Sequence, residues 1–205
     1  MRHLFPLKLV GTTAFTCLFF VAYFHLLRNP AFPVTVMPLT LLDAWVPFEP
    51  LALIPYLSLW LYIGFAPGLQ RSFVELAVYG LWMSAMCFTG LVIFYFWPTQ
   101  IPPLTIAVSH YAGFAMLQGV DAPGNACPSM HVATAIFTAI RIDHVLRHAG
   151  TPVAFRLGNG VWFLAIAWST VAVRQHVVLD VVAGALLGAA FALPALRWRG
   201  APKGQ

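Results

Sequence analysis

The chain is a series of apolar runs separated by short polar or proline-rich segments. A helix that crosses a bilayer needs about 20 mostly apolar residues. By this measure the pattern predicts six membrane-spanning helices, over about Lys8–Leu27, Leu51–Ala66, Phe73–Trp97, Pro128–Leu146, Val161–Val173 and Val177–Leu196. We therefore predict an all-α fold, a bundle of six transmembrane helices. Residues 1–205 are predicted to form a single integral membrane domain, with the catalytic core at about residues 96–196.

The connecting segments refine this prediction. Arg28–Pro50 is rich in proline and is typical of a loop or an interfacial segment. Leu104–Leu117 is apolar but too short to span, so we expect a re-entrant or interfacial segment on the outer face. The fourth run is the least apolar because it contains Arg141 and Asp143. We expect it to cross the membrane only if Arg141 extends to the lipid head groups.

The basic residues indicate the orientation of the bundle. Six spans place both termini on one side of the membrane. That side receives Arg2, Lys8, Arg71, Arg141, Arg147, Arg156, Arg197, Arg199 and Lys203, whereas Arg28 and Arg174 fall on the other. Positive residues favour the cytoplasmic side, so we expect both termini in the cytoplasm and the chain in the cell (inner) membrane. The Pro98–Cys127 loop, the start of the fourth helix and the turn after the fifth then meet at the outer face.

Composition supports a lipid environment. The chain is 60% hydrophobic and 8% charged, with a mean hydropathy of +0.83, whereas soluble domains carry about 25% charged residues. The net charge of +5 does not predict nucleic-acid binding, because the basic residues stand singly at the ends of apolar runs. The three cysteines are too scattered for a disulfide framework or a thiolate metal site. Cys17 and Cys87 are predicted core residues, and Cys127 lies beside the candidate site, where a minor role stays open.

His176 and Asp180 are the first candidate catalytic pair. They lie four residues apart and so share a helix face. The carboxylate can accept a hydrogen bond from one imidazole nitrogen, which leaves the other nitrogen free to attack as a nucleophile. A hydrogen-bonded pair that merely joins two helices is the alternative interpretation.

Pro128-Ser129-Met130-His131 is the second candidate element. Proline suits the first position of a helix, and the first N–H groups of a helix form an anion site. Ser129 can add a hydroxyl, and His131 can protonate an oxygen that leaves phosphorus. A capped helix end with an interfacial histidine is the alternative. Together the two elements predict phosphoryl transfer through a phosphohistidine, with no cofactor and no metal, since the sequence offers no carboxylate cluster and no three-ligand zinc set.

These residues resemble two motifs of the type 2 phosphatidic acid phosphatase superfamily. Residues 128–131 resemble its Pro-Ser-Gly-His motif. Ser169-Thr170, five residues, His176, three residues and Asp180 resemble its Ser-Arg-x5-His-x3-Asp motif. The resemblance implies a six-helix bundle in which His176 is the nucleophile, Asp180 orients it and His131 is the general acid.

The departures from the family pattern concern the cations that bind phosphate. The first motif, Lys-x6-Arg-Pro, would fall near Phe96–Gln100, which holds no lysine or arginine, and Thr170 replaces the arginine of the third motif. We therefore expect Arg174 to contact phosphate, with Ser129, Ser169 and Thr170 as further ligands. A plain head-group anchor is the alternative role for Arg174.

The missing cations also bear on the substrate. With fewer ion pairs for a doubly charged monoester, we hypothesise a diphosphate or phosphodiester lipid. The chain looks similar to the branch with inositol phosphorylceramide synthases and sphingomyelin synthases. A simple phosphatidic acid phosphatase is the alternative, and a membrane haem protein with His131 and His176 as axial ligands is a remote one. The expected partners are thus a lipid phosphate and the bilayer.

Three further pairs of polar residues have weaker interpretations. His110 and Tyr111 gate the substrate or belong to an interfacial belt. Asp43 and Glu49 contact a polar head group or lie in a water-facing loop. His144 and His148 are expected in a solvated loop on the inner side.

Overall fold

The computed structural model describes residues 4–103, 111, 113–114 and 124–197, and every structural statement below concerns these residues. The described chain is mostly helical. In order, its elements are α1 (Phe5–Arg28), β1 (Thr35–Val36), α2 (Leu41–Trp45), a 3-10 turn (Pro50–Ala52), α3 (Leu53–Leu69), α4 (Phe73–Phe96), β2 (Thr99–Gln100), α5 (Met130–His148), α6 (Val153–Ala172) and α7 (Val178–Arg197).

Four helical segments of the described chain are long and apolar enough to cross a membrane. They are α1, α3 together with the turn before it (Pro50–Leu69), α4 and α7. The helices α5 and α6 lie where the fourth and fifth spans were predicted but fall outside these four. The six-span count therefore stays a prediction. Most of the predicted segment Leu104–Leu117, with His110, lies outside the described residues.

Helix α5 is the central helix of the bundle. It packs against α7, α6 and α3, and Val132, Ala135 and Phe137 on it are completely buried. A helix enclosed by other helices contacts protein instead of lipid, so its sequence can carry more polar residues. This position explains the low hydropathy of the fourth run.

Arg141 on α5 corrects one sequence expectation. Its side chain is only 7% exposed and does not extend to the head groups. Nη1 donates to the Ala195 carbonyl at 3.4 Å, and Nη2 donates to Gln70 Oε1 at 3.2 Å. Because a buried charge needs hydrogen-bond partners, acceptors on neighbouring segments hold this guanidinium inside the bundle.

Two glycines bring α7 against α5. A Cβ atom on Gly184 would overlap the carbonyl oxygen of Ser129, and one on Gly188 would overlap that of Ala133. Small residues four positions apart allow such close backbone approach between membrane helices. The contact places the start of α7 beside the start of α5, where the two sequence motifs lie.

The connections that follow α1 and α4 are held together by a short parallel pairing. Thr35 pairs with Thr99, and Val36 pairs with Gln100. The hydroxyl of Thr99 accepts a hydrogen bond from the Cys127 N–H at 2.8 Å. The proline-rich segment after α1 is thereby fixed to the loop that leads into α5.

Candidate active site

Helix α5 begins with Ser129 as its N-cap. The Ser129 Oγ accepts a hydrogen bond from the Val132 N–H at 3.3 Å, and Met130 is the first helical residue. Pro128 was predicted at the first helical position, but the helix starts two residues later, at Met130, because serine is a preferred N-cap. His131 is consequently the second residue of α5.

The turn between α6 and α7 positions His176. The Thr170 carbonyl accepts hydrogen bonds from the backbone N–H groups of Gln175 and His176, both at 3.0 Å. Arg174 N–H donates to the Val171 carbonyl at 3.0 Å, and Arg174 has a left-handed backbone with φ 60°. This is the Schellman arrangement, in which glycine usually takes the left-handed position. An arginine there carries backbone strain that glycine would not.

His176 and Asp180 are buried together at the start of α7. Their side chains are 8% and 0% exposed, and His176 Nδ1 lies 3.5 Å from Asp180 Oδ2. The same Oδ2 accepts the Val177 N–H at 3.0 Å. The Asp180 carbonyl accepts the Ser129 N–H at 3.0 Å, which ties this motif to the start of α5. Catalytic hydrogen bonds are often long without substrate, so a 3.5 Å separation suits an orienting carboxylate.

His131 faces His176 across a short gap. The two ring centroids are 5.8 Å apart, with the planes at 61°. On its other side His131 stacks on Tyr56 with centroids 4.7 Å apart and planes at 28°. Both histidines border one cavity of about 590 Å³. Tyr56 could not be predicted as a site residue, because no motif distinguishes it from the other aromatic residues of the apolar runs.

The predicted phosphate ligands occupy different surroundings. Ser169 and Thr170 are completely buried, and their hydroxyls donate to the carbonyls of Ile166 and Ala167 at 2.7 and 2.8 Å. Ser129 is also buried as the N-cap. Phosphate binding by these three residues stays a prediction.

The Arg174 side chain is directed at the segment between α2 and α3. Its Nη2 donates to the Val46 carbonyl at 3.0 Å. An arginine has five N–H donors in all, so this bond leaves others to serve an anion. Its phosphate contact also stays a prediction.

Asp43 has a role that the sequence analysis did not foresee. It is 3% exposed, so it neither lies in a water-facing loop nor presents its carboxylate to a lipid head group. Oδ1 accepts the Val178 N–H at 2.7 Å, and Oδ2 accepts the N–H and the hydroxyl of Thr40, both at 2.7 Å. Asp43, in the short helix α2, thus caps α7. The spacing Thr40-x-x-Asp43, typical of a helix start, was the available signal.

These contacts favour the ionised form of the Asp43 carboxyl group. Burial by itself would raise the pKa of this carboxyl. The hydrogen bonds from Thr40 and Val178 and the positive charge of Arg174 outweigh burial and lower the pKa below its ordinary value of 3.8. The carboxylate therefore stays ionised at neutral pH and offsets part of the charge of Arg174.

The cysteines are all free thiols. Cys87 is buried as expected, whereas Cys17 is exposed on α1 and is not a core residue. Cys127 is buried beside the site, and burial together with the nearby charge of Asp180 raises the pKa of its thiol to about 11. It therefore remains protonated at neutral pH. Among the described residues, no three His, Cys, Asp or Glu side chains are grouped to hold a metal ion.

Comparison with known proteins gives one match. The sequence model of the PAP2 superfamily matches residues 95–203, a stretch that contains both motifs. Neither a curated protein nor a solved structure matches the chain.

Proposed function

The chain belongs to the PAP2 superfamily, the family that its motifs resemble, and on this premise we propose that it is a membrane lipid phosphoesterase or phosphotransferase acting through a phosphohistidine on His176. Members of this superfamily are phosphatases or other phosphoesterases. One observation carries the proposal: the rings of His131 and His176 face each other at 5.8 Å, with the Asp180 carboxylate behind His176. The alternative of a haem protein has no observation of its own to favour it.

In the first step His176 attacks phosphorus. The Asp180 carboxylate lies 3.5 Å from Nδ1 and accepts the Nδ1 proton as the site tightens around substrate, so Nε2 carries the lone pair that forms the P–N bond. The bond from phosphorus to the lipid oxygen breaks as His131 transfers a proton to that oxygen. The products are a phosphohistidine on His176 and the free lipid alcohol, or the lipid phosphate if the substrate is a diphosphate.

The second step regenerates the enzyme. A water molecule, or the hydroxyl of an acceptor lipid, attacks the phosphohistidine while His131 takes its proton. The P–N bond breaks, and both histidines return to their starting states. Water releases phosphate, or the phosphorylated head group if the substrate is a phosphodiester, because the second ester bond stays intact, whereas an acceptor lipid leaves as a new phospholipid. Hydrolysis and transfer therefore differ only in the acceptor.

The proposed phosphate site lies at the start of α5. The backbone N–H groups of a helix N-terminus favour an anion, and Arg174 supplies a cation two residues before His176. Ser129, Ser169 and Thr170 complete the proposed set of ligands. Those three hydroxyls engage phosphate only if they leave their present hydrogen bonds or share them.

The weak positive charge of this site supports a substrate with a low charge. Arg174 is partly offset by the ionised Asp43, and residues 96–100 supply no lysine or arginine. A phosphodiester carries one negative charge, whereas a monoester carries nearly two at neutral pH. We therefore favour a phosphodiester lipid, with phosphatidic acid and a lipid diphosphate, which both carry more charge, as the alternative substrates.

The proposed membrane placement follows the basic residues. Six spans put both termini in the cytoplasm and the two histidines at the outer or luminal face. A lipid phosphate would then reach His176 from the outer leaflet.

A substrate panel tests the proposal. Purified wild type and the variants H176A, H131A and D180N are assayed with phosphatidic acid, a lipid diphosphate and phosphatidylinositol, and both released phosphate and new lipids are measured. We expect no turnover in H176A, with H131A and D180N reduced by about 100-fold or more. Full activity in H176A would refute the proposal, and rapid phosphate release from phosphatidic acid alone would favour the simple phosphatase.

A further inference from the structure

The cavity beside the two histidines extends far beyond them. It begins at His131 and His176 and continues between α1, α3 and α4 as far as Lys8 and Phe73. Its volume of about 590 Å³ lies within the range of pockets that enclose a small organic ligand. The phosphoryl chemistry at its outer end uses little of this space.

The length of the cavity can be read along one face of α4. Residues from Cys87 down to Phe73 line it, and 14 residues of helix rise about 21 Å. One leaflet of a bilayer contributes about 15 Å to the hydrocarbon core. The cavity is therefore long enough for a complete hydrocarbon chain that extends beyond the middle of the membrane.

The walls of the cavity match such a chain. They are mainly aromatic and aliphatic, with Phe15 and Phe19 from α1, Trp60 and Ile63 from α3, and Met83 from α4. Lys8 lines the far end of the cavity, and its Nζ donates to the carbonyls of Gly68 at 2.8 Å and Gln70 at 2.6 Å. These bonds tie α1 to the end of α3, so the ammonium charge is held at the far end of an apolar space.

We propose that this cavity binds one hydrocarbon chain of the substrate and that α4 determines its length. This inference rests on the proposed function, because the histidines would hold the phosphate at the outer end of the same cavity. Ser84, Gly80 and Ala77 follow one another along the lining face of α4. They are the residues that set how far a chain can reach.

Their depths follow from the helix rise. A Cβ atom on Gly90 would overlap the Met130 side chain, so Gly90 lies at the level of the active-site helix start. Ser84, Gly80 and Ala77 are then about 9, 15 and 20 Å deeper. No atom lies within 4 Å of a Cβ built on Gly80, so a large side chain there fills the cavity without a clash at its base.

The test replaces each of these three residues with phenylalanine in the full chain. The control is G64F on α3, where a Cβ also meets no atom within 4 Å and the position lies outside the cavity lining. Each variant is assayed with single-chain alkyl esters, of increasing length, of the head group that wild type turns over fastest. In wild type, kcat/KM should rise by up to about fourfold per added methylene until the chain fills the cavity, since a buried methylene contributes about 0.8 kcal/mol.

In the variants, kcat/KM should stop rising at a shorter chain length than in wild type, and the shallowest substitution should have the largest effect. The rise should stop at the shortest chain in S84F, at a chain about 6 Å longer in G80F, and at a still longer chain in A77F. The control G64F should follow wild type. The shortest ester should be turned over equally by all of them, because its chain does not reach the substituted residues. Identical length profiles in all variants would overturn the proposal.

A second measurement separates the chain site from the chemistry. An alkyl phosphate with a photoreactive group at the chain terminus is bound to H176A, irradiated, and its attachment mapped by mass spectrometry. We expect labelling of the inner half of the cavity near Ala77, and loss of that labelling in H176A combined with G80F. If this labelling occurs but wild type has no phosphoesterase activity, the proposed function is refuted and the chain site stands. Labelling confined to residues outside the cavity would overturn the chain site even where the enzyme is active.

Discussion

The left-handed backbone of Arg174 allows its function to be separated from its effect on folding. We compare two variants, R174G and R174A, which remove the same side chain and the same hydrogen bond to the Val46 carbonyl. They differ only in how well the new residue adopts φ 60°. A non-glycine residue in this region costs about 1 kcal/mol or more.

The expected free energies of unfolding follow from these two contributions. Loss of the hydrogen bond lowers stability by about 1 kcal/mol in both variants. Glycine removes the strain and offsets most of this loss, although its greater freedom in the unfolded chain reduces the gain. We expect R174G to be more stable than R174A by roughly 1 kcal/mol, or about 2–4 °C in Tm for a chain of this size.

Activity should behave differently from stability. Both variants lack the guanidinium, so kcat/KM should fall by about 100-fold or more in each, as for loss of one transition-state hydrogen-bond donor. Thermal unfolding in detergent and initial rates on one substrate give both quantities. If R174A is as stable as R174G, the backbone strain at position 174 is refuted. Full activity in either variant would refute phosphate binding by Arg174.

Three more predictions concern the surroundings of the histidines. D43A should lower the free energy of unfolding by about 2–4 kcal/mol, because the Val178 N–H loses its acceptor. Since the pKa of Asp43 is lowered, the stabilisation by its carboxylate is present above about pH 4 and is lost as pH falls through that lowered pKa. We therefore expect wild type to have a higher Tm than D43N at pH 6, and the two Tm values to converge in acid. G184A should destabilise by about 1–3 kcal/mol through overlap with the Ser129 carbonyl, whereas the control G158A, with open space around its Cβ, should be neutral or slightly stabilising in thermal unfolding. With its pKa near 11, Cys127 should react with a maleimide about tenfold faster per pH unit up to that value, as measured by mass spectrometry; a plateau near pH 9 would contradict its burial.

The sequence predicted the long helices well because apolar runs of that length have few alternatives. The predicted helix boundaries were less accurate where polar side chains form hydrogen bonds inside the bundle. Helix α6 begins at Val153, eight residues before the predicted start, and carries Asn159 in its first turns. The Asn159 Oδ1 accepts the Tyr62 hydroxyl at 2.7 Å, and its Nδ2 donates to the Ala139 carbonyl at 3.0 Å. Such tertiary hydrogen bonds leave no periodic pattern in the sequence.

The candidate site was predictable to the extent that its residues share local spacing. His176 and Asp180 were predicted to share a helix face, but His176 lies in the turn before α7, and the four-residue spacing still brings its ring to the Asp180 carboxylate. The serine at the start of α5 sets the position of His131. Tyr56 and Asp43 come from distant segments, and only the packed bundle brings them to the site. Their contributions depend on contacts between elements, which spacing along the chain does not encode.

The central claim is that His176 becomes phosphorylated during turnover. The most direct measurement is rapid quenching with a substrate labelled in its reacting phosphoryl group, followed by denaturation in alkali and peptide mapping. The proposed mechanism predicts an acid-labile, alkali-stable label on His176 that forms and decays at the rate of turnover, and no label in H176A. Turnover by wild type without any labelled protein, or the same label in H176A, would contradict it.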